Sequence, residues 1–251
     1  NGKSETTVGI YLRSLRTIFN EQSIDKSIYP FGTGKNKYTI PSSKNIKKAL
    51  SLDEISRIFH YEASLKSTKD MAKDYWLFLY LSNGMNVKDF CLLKWKNIKD
   101  DMIYYKRAKT VRSKREIKQI TIALKPHAKT IIEKWGSWPK EDEKFIFPHL
   151  NEDIPLIRQR AIYQQLTKII NKYVGQIALE TGIKKKVTTQ YARHSFATIL
   201  KRSGANVNFI SELLGHSSVD VTESYLDSFE KEHIQQTTDA LTAGLGNEPS
   251  K

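Results

Sequence analysis

Residues 188–225 spell out two short helices from start to stop, and the rest of the chain is read around them. The first opens at Thr188 or Thr189, whose hydroxyl can cap free backbone N–H groups, and ends at Gly204, which takes the left-handed conformation that stops helices. Ala192, Phe196, Ile199 and Leu200 form its apolar stripe. The second has Asn206 as its cap, Val207, Ile210, Leu213 and Leu214 at helical spacing, and Gly215 as its stop. His216 follows at once, and a third short helix opened by Ser217 or Ser218 would carry Val219, Thr222, Tyr225 and Leu226 along one face. The pattern therefore sets Arg193, His194 and His216 ahead of a tyrosine.

Each of these side chains also has an ordinary structural role open to it. Tyr225 is one of twelve tyrosines and, beside Leu226, fits the edge of a core. An arginine on a helix is commonly a solvated or salt-bridged surface charge, and a histidine such as His216, behind a helix-ending glycine, can cap the C-terminus. His194 points away from the direction of Arg193 and reads as a structural, hydrogen-bonding histidine. What separates the chemical reading from these is order and spacing. The run ARHSFAT at 192–198, then LLGHSS at 213–218, then Tyr225 resembles the C-terminal signature of the tyrosine recombinases, the phage integrase family.

That resemblance implies a mostly helical catalytic domain with a small antiparallel sheet. It also implies a metal-free phosphoryl transfer, needing no cofactor, in which a tyrosine hydroxyl attacks a DNA phosphodiester and stores the bond as a 3′-phosphotyrosine. Tyr225 would be the nucleophile, Arg193 and His216 would bind the phosphate and its transition state, and Lys109 would protonate the departing 5′-oxygen. The residue types suit the work. A neutral tyrosine with a pKa of about 10 needs a nearby proton acceptor. The charge that builds on the non-bridging oxygens is best met by fixed guanidinium and imidazole donors, and arginine offers two parallel hydrogen bonds without losing its proton.

Two positions depart from the family pattern. The position matching an arginine two residues after the turn glycine is Asn86, which brings no charge, and Arg57, Arg107 and Arg112 are candidate substitutes. Lys88 is nearer in sequence, but its direction on the helix differs. The position matching a histidine three residues before Arg193 is Gln190, which can hydrogen-bond a phosphate oxygen but cannot accept a proton at neutral pH. Asn86 and Gln190 thus read as altered members of the site. They motivate an alternative, a DNA-binding protein on the recombinase scaffold that no longer cuts; a topoisomerase-like relaxase of the same chemistry is a second.

Composition agrees with a polyanionic partner. Lys and Arg number 41 against 27 Asp and Glu, a formal charge of +14, and no stretch pairs a basic face with a long apolar one as a membrane-surface helix would. Double-stranded DNA is the expected partner, with a homo-oligomer assembled on it as the resemblance implies. Cys91 is the sole cysteine, which rules out an intrachain disulfide and a cysteine-based zinc site and suggests reducing cytoplasm. There is no glycine-rich phosphate loop and no metal-ligand spacing.

Along the chain, residues 1 to about 30 read as a helix followed by a breaker at 29–34 and a basic segment. The resemblance makes residues 1–48 the last part of a helical core-binding, DNA-clamping domain with its linker, in a fragment of a longer protein, and 49–251 the catalytic domain with a C-terminal tail. Ser51 and Glu54 form a capping-box pattern. Residues 70–81 read as a central buried helix, and Val87, Phe90, Cys91, Leu93 and Trp95 as another amphipathic one. Strands are expected at 102–106 and 117–124, helices from Pro126 through Trp135 and over 156–181, and surface positions for His127 and His149. The loop between the strands carries Arg107, Lys109, Arg112, Lys114 and Arg115. Such a charge run is commonly a solvated tip; here it is also a candidate DNA contact, as is Lys185. Lys114 competes with Lys109 for the proton-donor role. The function expected is site-specific DNA breakage and rejoining that integrates or excises a mobile element.

Overall fold

A computed structural model describes residues 2, 4–22, 24, 25, 27–41, 49–108, 119–215 and 222. The chain divides into two compact units, residues 1–46 and 47–251. In the first, helix α1 (Glu5–Glu21) is capped by Ser4, whose hydroxyl accepts from the Thr7 amide at 3.3 Å. The helix expected to run to about residue 30 stops at Glu21. Past it the chain turns back, so that Phe19, Tyr29 and Phe31 meet edge to face, and the Tyr38 amide donates to the Pro30 carbonyl at 2.6 Å. Aromatic packing and that bridge replace the further helical turns.

The second unit is mostly helical with one small sheet. Helix α2 (Leu52–Phe59) opens with the expected capping box: the Glu54 amide donates to the Ser51 hydroxyl, and the Ser51 amide donates back to the Glu54 carboxylate at 2.8 Å. Helix α3 (Thr68–Leu81) is the centre. Tyr75, Trp76, Leu77, Phe78 and Leu79 are buried in succession, which only a helix surrounded on all sides can achieve. Around it pack α2, α5 (Pro126–Trp135), α6 (Leu156–Glu180) and α7 (Thr189–Arg202). On α6 the buried residues Leu166, Ile170, Val174 and Ile177 recur at three- and four-residue spacing, as the pattern predicts.

The helix expected over 87–95 is cut short: α4 spans Val87–Cys91 only. Its continuation is captured by the segment around Ile146, whose amide donates to the Leu93 carbonyl at 2.8 Å, and Lys94 bridges Phe145 in antiparallel fashion. A 3₁₀ turn (Trp95–Asn97) then leads into the antiparallel order β1 (Ile98–Lys99), β2 (Met102–Lys106) and β3 (Gln119–Ala123). Asp100 and Asp101, both at positive φ, make the two-residue turn that joins β1 to β2. Ile103 pairs with Ile122 and Tyr105 with Ile120, and all four point into the core. Cys91, on α4, is fully buried in the same core, and burial pushes its thiol up to about 12.

His149, expected at the surface, is half-buried instead, with its Nε2 at 3.0 Å from the Tyr75 hydroxyl; burial holds its pKa below the usual histidine value. His127 is exposed, edge-on to Phe59. Among the described residues no helix is long and apolar enough to cross a membrane.

One buried charge cluster ties α5 to α3. Lys134 donates to Asp70 at 2.8 Å and to Asp74 at 2.7 Å, and the Trp135 indole donates to the same Asp74 oxygen at 2.8 Å. Partial burial works against the Lys134 ammonium, but the two carboxylates outweigh it and hold its pKa above the ordinary lysine value. Lys134→Ala would leave two buried carboxylates without their cation, a loss of about 3 kcal/mol at neutral pH. Because the Lys134 pKa is raised in the folded state, its contribution is fully present below the ordinary lysine value of 10.5 and is lost as pH rises through the folded one, so the deficit should shrink in strongly alkaline solution. Urea unfolding at pH 7 and pH 11 checks both; a deficit that grows toward pH 11 would count against it.

Candidate active site

Three segments far apart in sequence converge on the last turn of α8 (Val207–Leu213). Arg193 lies on α7, which is pinned before any ligand is considered. The Trp76 indole donates to the Thr188 carbonyl at 3.0 Å, and the Leu50 amide donates to the buried Ser195 hydroxyl at 2.8 Å. The Thr188 hydroxyl does not make the expected cap. Instead Asn171 on α6 accepts from the Thr189 amide at 2.7 Å. The apolar stripe on α7 serves two neighbours: Ala192 and Ile199 join the main core, while Phe196, Ala197 and Leu200 form a smaller cluster with Val207, Ile210 and Leu214. Gly204 and Gly215, both at positive φ, end the two helices where the sequence places their stops.

Arg193 is buried, and its guanidinium is held by two backbone carbonyls. Nη1 donates to Gly84 at 2.9 Å and Nη2 to Leu214 at 2.5 Å. The turn at Asn83 and Gly84 takes two successive left-handed residues, and a Cβ on Gly84 would lie 2.5 Å from the Arg193 Cα. Asn83 uses both amide protons at the same place, donating to Thr121 on β3 and to Leu213 on α8, each at 3.3 Å. Arg107, just past β2, donates from Nη1 to the Gly215 carbonyl at 3.4 Å. Three consecutive carbonyls, of Leu213, Leu214 and Gly215, thus accept from Asn83, Arg193 and Arg107 in turn, and the next residue is His216.

Asn86 is the N-cap of α4. Its Oδ1 accepts from the Asp89 amide at 3.1 Å and its Nδ2 donates to Asp89 Oδ2 at 2.5 Å. Asn86, expected as an altered member of the site, thus engages Oδ1 and one Nδ2 proton with Asp89. Sequence reasoning passed over Asp89, whose other oxygen accepts from the Ala108 amide at 2.9 Å. Burial pushes the Asp89 carboxyl above the usual carboxylate range, against the pull of that amide and of the Arg107 and Arg193 charges. An acid three residues after an asparagine cap, on an otherwise apolar face, was the available signal. Tyr105 lies near the same charges, and burial, then the Asp89 charge, push its hydroxyl well above the tyrosine value, so it is no activated nucleophile.

The remaining expectations separate. Gln190 sits one turn before Arg193 on α7 and is exposed; His194 is half-buried. Arg57 is occupied elsewhere, donating to the Thr181 carbonyl at 2.9 Å and pairing with Asp53 at 3.0 Å. Lys88 lies over the Tyr163 ring. Lys185, expected against DNA, donates to Glu54 at 2.7 Å and to the Ala49 carbonyl at 3.1 Å, bracing the start of α2. Lys109, Arg112, Lys114, Arg115, His216 and Tyr225 lie outside the described residues; Thr222, between the last two, is helical and buried. Among the described residues no group of three or more His, Cys, Asp or Glu could hold a metal ion.

Two glycine substitutions separate backbone strain from close approach. Gly204→Ala meets nothing within 4 Å and should cost only the left-handed penalty, about 1–2 kcal/mol. Gly84→Ala carries that same penalty and must also push back the Arg193 backbone, so it should lose at least about twice as much on urea unfolding. Equal losses would mean that the contact between the turn and α7 is not tight.

Residues 48–232 match the phage integrase family. Among curated proteins, the chain is similar to the tyrosine recombinase XerD of Listeria monocytogenes, 28% identical over 233 residues, covering 89% of this chain and 72% of that protein. Among solved structures it resembles the XerH site-specific recombinase bound to palindromic difH substrate in a post-cleavage complex, with a TM-score of 0.61, 20% identity, and coverage of 98% of this chain and 69% of that one. It also resembles the Tn1549 transposon integrase in complex with transposon right end DNA, with a TM-score of 0.58, 17% identity, and coverage of 96% and 81%. Both structures share its fold, a helical body with a small antiparallel sheet. The chain belongs to the phage integrase family and is a site-specific recombinase of the tyrosine type.

Proposed function

We propose that this recombinase cuts and rejoins DNA through a covalent bond to Tyr225, and that its substrate sites are the ends of a mobile element. The observation that carries the reading is Arg193: a buried guanidinium fixed by two carbonyls at the turn that leads into His216. Holding a cation rigidly in a partly dry site makes it worth more to a transition state that gains charge than to a substrate that does not.

In the proposed step the Tyr225 oxygen attacks phosphorus. The O–P bond forms, the P–O5′ bond breaks, and the chain carries a 3′-phosphotyrosine opposite a free 5′-hydroxyl. The tyrosine proton passes to an acceptor beside it, and Lys109 delivers a proton to the 5′-oxygen. Arg193 and His216 hold the non-bridging oxygens, and Gln190, one turn before Arg193, donates a neutral hydrogen bond. Reversal of the same step by a 5′-hydroxyl rejoins the strand without ATP. Each duplex has two strands and each chain one such tyrosine, so a complete exchange requires several copies assembled on DNA. Residues 1–48 would belong to a clamping domain and 49–251 to the catalytic one. The net charge of +14, with Arg112, Lys114 and Arg115 on the loop after β2, supplies phosphate contacts that position the duplex without reading it. The DNA-bound states named for XerH and the Tn1549 integrase support the choice of partner, and the latter supports the mobile element.

The test uses the full chain and a duplex that it selects from a random-sequence pool, nicked so that the released strand diffuses away. A protein–DNA adduct that survives denaturation is expected, absent in Tyr225→Phe and formed about 10²–10³-fold more slowly by Arg193→Ala. Tight binding without adduct would instead support the non-cutting alternative.

A further inference from the structure

The site described above lacks a cation where Asn86 stands, and the structure identifies a replacement. Resting on the reading that Tyr225 attacks a DNA phosphate, we propose that Arg107 is a catalytic residue of this chain: it binds a non-bridging oxygen of the scissile phosphate from the end of β2, supplying the charge that Asn86 does not.

Four observations carry this. Asn86 brings no charge, and its Oδ1 and one Nδ2 proton are engaged with Asp89. Asp89 in turn accepts from the Ala108 amide at 2.9 Å, which fixes the backbone one residue after Arg107 and so aims its side chain. Arg107 and Arg193 then donate to adjacent carbonyls, those of Gly215 and Leu214, so two guanidinium groups from different elements meet at one turn immediately before His216. Their mutual repulsion is offset by the buried Asp89 carboxylate and by the negative end of the α8 dipole. Finally, Arg57, the other candidate among the described residues, is held at Thr181 and Asp53. The bond from Arg107 to Gly215 is long, 3.4 Å, against 2.5 Å for Arg193 to Leu214, so that bond is the weaker of the two. The two arginines divide the labour: Arg193 is locked, Arg107 is aimed.

A purely structural role for Arg107, holding the Gly215 carbonyl, is the competing account, and substrate charge separates the two. The selected, nicked duplex is prepared with either phosphate or methylphosphonate at the scissile position; the methyl group replaces one charged oxygen. Adduct formation is measured for wild type, Arg107→Ala and Arg107→Lys, per molecule of duplex-binding protein so that misfolded chains do not count. On phosphate, Arg107→Ala should be slower than wild type by about 10²–10³-fold, with Arg107→Lys between them. On methylphosphonate the gap between Arg107→Ala and wild type should close to within about tenfold, because the charge that Arg107 meets is gone. Arg107→Ala within a few-fold of wild type on phosphate overturns the assignment, and so does an equal slowing on both substrates, which would leave only the structural role. If Arg107→Ala yields no duplex-binding protein, the same phosphate-to-methylphosphonate comparison on Arg107→Lys decides. A wild-type chain that forms no adduct, or a Tyr225→Phe chain that still does, fails the underlying reading itself and the assignment with it.

Discussion

The last turn of α8 is the constraint on which the rest of the site depends. The final carbonyls of any helix lack intrahelical partners and carry the negative end of its dipole. Here those of Leu213, Leu214 and Gly215 are met by an asparagine and two arginines from three different elements. Each donor is anchored a second time: Asn83 to β3, Arg193 to the Gly84 turn, and Arg107 through the neighbouring Ala108 amide to Asp89. Ordinary helix capping has been made the hub that joins sheet, central helix and C-terminal helices. The cations are immobilised in satisfying it, so little side-chain entropy is left for a ligand to remove.

Helix α3 makes that hub rigid. Its fourteen residues span about 21 Å at 1.5 Å each and are packed on every side. One end is clamped to α5 by Asp70, Asp74 and Lys134; the other ends in the Asn83 and Gly84 turn that touches Arg193. A buried strut of this kind transmits position without bending, because a close-packed interior compresses little.

Much of this was legible in the sequence, where local signals and tertiary demands agreed. Gly204 and Gly215 stop their helices, Ser51 and Glu54 form their box, and α5 runs from Pro126 to Trp135, because caps and stops are decided within a few residues. Where distant partners decide, reading failed. The apolar spacing from Val87 to Trp95 promises a longer helix, yet pairing of Leu93 and Lys94 with the segment near Ile146 takes the last residues away. Strand β1 is two residues long, too short for any periodicity to show. The pairing of Lys185 with Glu54 could not be read either, because the two are remote in sequence. Of the site, the order of Arg193, His216 and Tyr225 was readable as a motif. The roles of Asn86 as a cap and Asp89 as a tether were not, since an asparagine before a helix and an acid inside one each have several possible partners.

The hydrogen bond from the Leu50 amide to the Ser195 hydroxyl joins residues 145 positions apart, and Arg193 reaches Gly84 across 109. Contacts of such separation form late, because the loop must close before they stabilise anything. During synthesis, α3 and the sheet emerge well before the segment that carries Arg193 and the α8 carbonyls. A half-made chain therefore has no assembled pair of arginines: the two guanidinium groups can meet at the α8 turn only once residues on both sides of the sheet have been made.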